Sequence, residues 1–284
     1  MNKIKKGDIV GRKSYNKDII FVVIKIISNQ KEKIALLKGL YERIEADSNI
    51  EDLEIIEKEE IEESLAKVQN KIQDRIDSNK DKYKRELLEN NKRSNEKIIT
   101  GKILHLDGDR KYSQKSYLYY RKLGLNSVVK NIPEYKQPLE VYRLLMIYNP
   151  DILIVTGHDG MIRKEIDYNN LQNYRNSKYF IETVKKAREY ERDYFKDLVI
   201  FAGACQSYYE ALINAGANFA SSPARILIDF LDPLIIAQKV AITESYKYIT
   251  INDIYKELRD GKRGVDGIGA PRKNAKNKNV IFLK

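Results

Sequence analysis

The chain holds one cysteine and two histidines, and the cysteine and one histidine each follow an apolar run that breaks at glycine. Cys205 closes "DLVIFAGAC", and His158 closes "DILIVTGH". Each run opens on aspartate and ends beside Gly203 or Gly157. A helical pattern, "QSYYEALINAG", follows the cysteine. A thiol at a helix N-terminus meets unpaired N–H groups and the positive end of the macrodipole, and both favour the thiolate. A histidine at the same edge can take the thiol proton and return it to a leaving amine. Gly203 and Ala204 keep the approach to Cys205 open. Gly157 and Gly160 flank the histidine and let backbone N–H groups face a developing oxyanion. A small buried hydrophobe is the competing reading of a lone cysteine, and a structural role that of a lone histidine. Their matching positions at two strand ends favour a cysteine–histidine site.

For the two side chains to meet, their strands must be parallel neighbours in register. The separation from 158 to 205 fits one intervening helix in a strand–helix–strand unit. Residues 98–284 alternate in that way. "KILHLD", "NSVVKNI", "DILIVTG", "DLVIFAG" and "ANFASSP" read as strands. "SQKSYLYYRKLG", "PLEVYRLLMIYNP", "YFIETVKKAREYERDY", "QSYYEALINAG", "ARILIDFLDPLIIAQKVAIT" and "INDIYKELRDG" read as helices. Such alternation predicts an α/β domain with a parallel sheet covered on both faces, and a site outside the carboxyl ends of its strands. The other histidine, His105, lies inside "ILHLD", where alternation points it into the sheet. The tail is expected to be a loop that ends in an edge strand, "NVIFLK".

Two further regions precede this domain. Residues 1–50 carry short β-branched runs, "GDIVGRKS", "IIFVVIKIIS" and "KIALLKGL", then "YERIEAD" as a fourth strand or a loop. They predict a small SH3-like β-barrel. Residues 51–97 contain no glycine or proline. Ile55, Ile61, Leu65, Val68, Ile72 and Ile76 recur there at helical spacing, with Glu63 four before Lys67. A charged helical linker is expected, with a partner-binding helix as the alternative.

A single cysteine excludes an internal disulfide framework. The start has no apolar signal segment, and no run is long enough to span a bilayer, so a cytoplasmic protein is expected. The net charge of +11 arises from 52 basic and 41 acidic residues that are interspersed, which argues against a concentrated nucleic-acid footprint. No cofactor or metal is expected.

The histidine beside glycine after one apolar strand, and Ala204-Cys205-Gln206 after the next, resemble the caspase-like (clan CD) cysteine peptidases. Two positions depart from that pattern. Asp159 stands between His158 and Gly160, and Ser207 follows Gln206. The oxyanion donors are therefore sought among the N–H groups of Asp159, Gly160 and Cys205. Nearly the whole chain is similar to the YabG family of sporulation-specific peptidases, through "KKGDIVGRKSYNKDIIFVV", "GKILHLDGDRKYSQKSYLYYRKLG", "TGHDG" and "FAGACQSYYEALINAGANFASSPARI". That resemblance implies a caspase-like three-layer fold and a peptidase of the sporulating mother cell that processes spore coat and germination proteins. It also implies cleavage after arginine, and self-cleavage. A buried arginine needs a carboxylate partner. Asp107 and Asp109 in "HLDGD", at the end of the first strand of the domain, are the candidates for that pocket, with an ordinary turn around Gly108 as the alternative. Asp229 and Asp232 are weaker candidates because they fall in a helical stretch.

Other classes remain open on sequence alone. A basic nucleic-acid-binding regulator would also carry a small barrel and 20 tyrosines, with Cys205 merely packed. A cysteine amidotransferase-type hydrolase would place its histidine after the cysteine, and none follows Cys205 here.

Overall fold

A computed structural model describes residues 4–28, 32–94, 100–162, 167–242 and 248–271. The first unit is an antiparallel sheet of β1 (Ile9–Arg12), β2 (Ile20–Ser28), β3 (Lys33–Gly39), β4 (Glu45–Asn49) and β5 (Leu53–Ile55). The strands are ordered β4-β3-β2-β1-β5. Val10, Phe21, Val23, Leu37 and Leu53 alternate inward and build its core. The expected barrel does not close, because β4 and β5 do not pair among the described residues. The free edge of β4 turns to the rest of the chain instead, where Glu45 N donates to Asp159 O at 3.0 Å. Leu53–Ile55 pairs with β1 as a strand, because Leu53 is needed in the core, so Ile55 leaves the helical series.

α1 (Lys58–Ser94) carries the rest of that series. It is more than a spacer between units. Ile72 and Ile76 pack on the second unit and Tyr83 is buried there. Arg75 reaches Asp229 at 2.6 Å and Asp232 at 3.1 Å, and Lys82 reaches Glu257 at 2.6 Å. The exposed Glu63–Lys67 pair forms as its spacing suggests.

The second unit runs β6 (Ile103–Asp107), α2 (Arg110–Lys122), β7 (Ser127–Asn131), α3 (Gln137–Tyr148), β8 (Ile152–Thr156), α4 (Ser177–Asp193), β9 (Val199–Ala202), α5 (Tyr209–Asn214), β10 (Phe219–Ser221) and α6 (Leu231–Ile242). β11 (Tyr248–Ile249), β12 (Val265–Gly267) and β13 (Ala270–Pro271) follow. The main sheet is ordered β12-β10-β9-β8-β6-β7. β10, β9, β8, β6 and β7 are parallel, while β12 is an antiparallel edge, so the sheet is mixed rather than wholly parallel. Alternation sorts each strand between two cores. Ile103, Ile152, Ile154, Val199 and Phe201 face α2 and α6. Leu104, Leu106, Leu153, Val155 and Ile200 face α3 and α4. His105 is fully buried in β6, as its alternation suggests, with Nε2 2.7 Å from the Thr156 hydroxyl and Nδ1 3.2 Å from Tyr120 OH.

One expected helix is absent. "INDIYKELRDG" folds as two short 3₁₀ turns, with a third that begins at its last residue, and Ile251 and Ile254, three apart, are both buried. The edge strand expected in "NVIFLK" lies outside the described residues.

The contact of α1 with the second unit generates a prediction. Burial raises the carboxyl pKa of Asp232 to about 6, with Asp229 pushing the same way and Arg75 opposing. A raised carboxyl contributes stability below its unfolded value near 4 and loses it as pH rises through about 6. Arg75→Ala leaves Asp232 buried without its cation, and is expected to cost about 3 kcal/mol at pH 7. The loss should shrink below pH 4, where Asp232 is neutral in both proteins. Urea unfolding across pH checks this, and a pH-independent difference would contradict it.

Candidate active site

The strand order reverses between β6 and β8, and the crevice outside their carboxyl ends is the place such sheets bind ligands. Asp107 at the end of β6 stands opposite Thr156 at the end of β8. β8 and β9 are also parallel and in register, with Val155 opposite Ala202. The turns after them therefore bring His158 and Cys205 out at the same edge.

His158 is 1% exposed, and neither ring nitrogen has a hydrogen-bond partner among the described residues. Two carboxylates stand just beyond bonding distance. Glu134 Oε1 is 3.8 Å from Nδ1, and Asp109 Oδ2 is 3.9 Å from Nε2. Glu134 also accepts the His158 main-chain N–H at 2.7 Å. This acid was not singled out in the sequence. It sits in the turn Glu134–Lys136 just past β7, the strand beside β6. Two glycines make room for it. A Cβ at Gly108 or Gly157 would lie 2.0 or 2.3 Å from Glu134 Oε1. The ring of Tyr112, from α2, packs against the imidazole with centroids 6.1 Å apart.

The side chain of Asp159 does not orient His158. Its Oδ1 accepts from Gly160 N at 2.9 Å and Asn176 N at 2.8 Å. Its Oδ2 accepts the hydroxyls of Ser177 and Ser207. Burial nevertheless raises its pKa to about 6, against those bonds. Asp159 thus ties the His158 turn to the start of α4 and to the Cys205 turn. The Ser207 that departs from the caspase-like pattern has a definite task here: it bridges Asp159 and the Ala204 N–H. The Gly160 N–H is already used by the Asp159 side chain. The main-chain N–H of Asp159 instead points at the carbonyl oxygen of Arg43, at 3.4 Å.

Cys205 does not stand at a helix N-terminus. α5 begins four residues later, at Tyr209, and Cys205 lies in a turn. The thiol is fully buried and packs among Val10, Phe21, Ile44 and Ile228. Its Sγ accepts from Ile228 N at 3.3 Å. Burial pushes its pKa up to about 11, and the Ile228 N–H opposes only part of that shift. The thiol is therefore protonated at neutral pH in this closed arrangement.

The four acids considered for an arginine pocket are all engaged. Asp229 and Asp232 hold Arg75 on the side of α1. Asp109 caps α2 through Lys111 N and Tyr112 N, at 2.8 and 3.2 Å, and pairs with Lys38 at 2.9 Å. Asp107 is fully buried and lies 3.0 Å from Arg43 Nη2. Burial alone would push the Asp107 pKa up. Arg43 and His105 outweigh it and hold the carboxyl well below the usual carboxylate range. The expected open pocket is thus filled from within, because the turn between β3 and β4 enters the crevice. Among the described residues no cluster of three or more His, Cys, Asp or Glu is arranged to hold a metal ion, and no helix is long and apolar enough to cross a membrane.

The raised thiol pKa can be checked directly. Iodoacetamide should label Cys205 in the native chain at pH 8 on the order of 100-fold more slowly than it labels a free cysteine. The rate should climb toward pH 11. Labelling at the free-thiol rate at pH 8 would exclude the buried neutral thiol.

Comparison with known proteins supplies the family. The YabG peptidase U57 family matches residues 5–277. The sporulation-specific protease YabG of Bacillus subtilis (strain 168) is 38% identical over 271 residues, covering 92% of this chain and 93% of that protein. No solved structure matches the chain. A protease assignment displaces the reading of the chain as a nucleic-acid-binding regulator. The chain is a protease, and it belongs to the YabG peptidase family.

Proposed function

We propose that the chain is a caspase-like cysteine endopeptidase that cleaves after arginine, with Cys205 as nucleophile and His158 as proton carrier. The observation that carries this reading is the seat of Arg43. Its guanidinium meets Asp107 while its carbonyl meets the Asp159 N–H, and both contacts lie at the edge that bears His158 and Cys205. A substrate arginine in the same seat would have its charge on Asp107 and its scissile carbonyl on an oxyanion donor. His158 takes the Cys205 thiol proton as Sγ bonds to the carbonyl carbon. The C–N bond then breaks, the same proton leaves with the amine, and water hydrolyses the thioester. The Asp159 and Cys205 N–H groups serve the oxyanion, and Gly160 gives the turn its shape. Glu134 is a positioning residue: it binds the His158 main-chain N–H and places its carboxylate 3.8 Å from Nδ1, within reach of the ring once the site tightens around a substrate. Asp109 near Nε2 adds negative potential, and Asp107 alone is the specificity acid.

The relative's name places it in sporulation. We extend that setting to this chain, with spore coat and germination proteins as substrates and the chain itself as a further one. The mother-cell cytoplasm is the compartment, with association to the coat.

Two sets of variants test the reading. Cys205→Ala and His158→Ala should each remove nearly all cleavage of coat-protein extracts, and mapped cut sites in the active chain should follow arginine. Cuts that persist in Cys205→Ala, or that ignore arginine, would exclude it. Glu134→Gln should lower kcat on the order of 100-fold with KM little changed, and should shift the acid limb of the pH profile. A change confined to KM or to stability would remove Glu134 from the positioning role.

A further inference from the structure

We infer that the turn Leu40–Ile44 of the amino-terminal sheet is a tethered inhibitor, seated as a substrate would be, with Arg43 as its specificity residue. This rests on the peptidase reading and adds how the site is regulated. Arg43 is 1% exposed, although arginine is among the side chains least often buried. Its guanidinium lies 3.0 Å from Asp107 and 4.7 Å from the centre of the Tyr112 ring. Its Nε, Nη1 and Nη2 all lack a hydrogen-bond partner among the described residues, so the contact with Asp107 is an ion pair without hydrogen-bond geometry. A pair built only for stability would have those donors satisfied. The second acid at the site is covered from the same hairpin, by Lys38 on Asp109.

The main chain of the turn is held as well. Arg43 O accepts from Asp159 N, Ile44 bridges Asp159 in parallel, and Glu45 N donates to Asp159 O. This is strand addition beside the histidine turn, the way extended peptides dock on a protease edge. Gly160 permits it, since a Cβ there would lie 2.1 Å from Glu45 O. Tyr112 OH donates to Tyr41 O on the other side of Arg43. Ile44 packs in the same cluster as Cys205, so the turn also takes the thiol out of water. Space continues past both ends of the seated segment. A cavity of about 460 Å³ is lined by Ile44, Glu45, Asp47, Met161 and Gln206. Another of about 120 Å³ is lined by Tyr41, Glu42, Ile228 and Phe230. A longer peptide would extend into both.

A tethered ligand competes at an effective concentration in the millimolar range, so it raises the apparent KM and leaves kcat alone. The test compares the full-length wild type with Arg43→Ala and Arg43→Lys on a small peptidyl-arginyl amide. Arg43→Ala is expected to lower KM about tenfold or more with kcat unchanged. Arg43→Lys keeps a charge for Asp107 but loses the planar fork, and should fall between. It carries the test if the alanine variant does not fold. A second reading uses benzamidine as a guanidinium-like probe. It should raise the Tm of Arg43→Ala, whose pocket is vacated, and leave the wild type unmoved. Slow cutting of the Arg43–Ile44 bond in the wild type, absent from Cys205→Ala, would support the same seat. Equal KM in wild type and both folded variants would overturn the inference. If no form hydrolyses the amide, the peptidase reading fails. Benzamidine then decides the seat alone: a Tm shift confined to Arg43→Ala keeps Arg43 as the occupant, and no shift removes it.

Discussion

The contact between Arg43 and Asp107 constrains more of this structure than any other. Taking either charge out of water alone costs several kcal/mol, so neither side chain can keep its buried place without the other. Asp107 ends β6, the strand at which the order of the sheet reverses. Arg43 belongs to the turn after β3 in a different unit. Their pairing fixes the register between the two units. It brings Tyr112 under the guanidinium and lays the β4 edge along the histidine turn. It also explains why the small sheet stays open. The edge that would close a barrel is used on Asp159.

How far the sequence disclosed the site follows from the range of each interaction. The placement of His158 and Cys205 after two strands is legible because strand ends are local features: an apolar run, then glycine, then a polar or sulfur side chain. Placing both at one edge required only parallel pairing. His105 was legible through the alternation of five residues. Glu134 was not. Its role comes from the adjacency of β6 and β7 and from two glycines on different turns, which no local pattern reveals. Pro133 before it and the glycines Gly108 and Gly157 were the available signals, each too common to be read alone. Arg43 was hidden more deeply, since "YERIEAD" resembles any exposed charged turn. The acids were found, but not that internal cations already cover them. The expected helix N-terminus at Cys205 failed because α5 starts one turn late, after the bonds of Gln206 and Ser207 shape the loop. The helical series was extended back too far, to Ile55, because periodicity cannot distinguish a core strand from the first turn of a helix.

The electrostatics of the closed site favour rest over turnover. A cysteine nucleophile works as a thiolate, and Cys205 is neutral beneath the small sheet. The two carboxylates near His158 lie just too far for a hydrogen bond, so the imidazole is poised without being locked. Burial keeps the Cys205 thiol neutral. Arg43 and Ile44 are neighbours in one turn, so the segment that covers Asp107 also shields the thiol.

What holds the small sheet in place is consequently part of the site. Two sets of contacts do so. One is the buried pair with its strand addition; the other is α1, which runs from β5 across the second unit and anchors through Arg75, Lys82 and Tyr83. A domain resting on the crevice alone could leave by rigid-body motion. A domain also tied through a packed helix of 37 residues returns quickly whenever it lifts, because the tether keeps its local concentration high. The two anchors differ in kind. The Arg43 seat is made of charges at the edge that bears His158 and Cys205. The α1 seat is made of apolar packing with ion pairs to Asp229, Asp232 and Glu257. The two sets of contacts therefore hold the small sheet from two sides, one through a buried charge pair beside the histidine turn and one through the helix that follows β5.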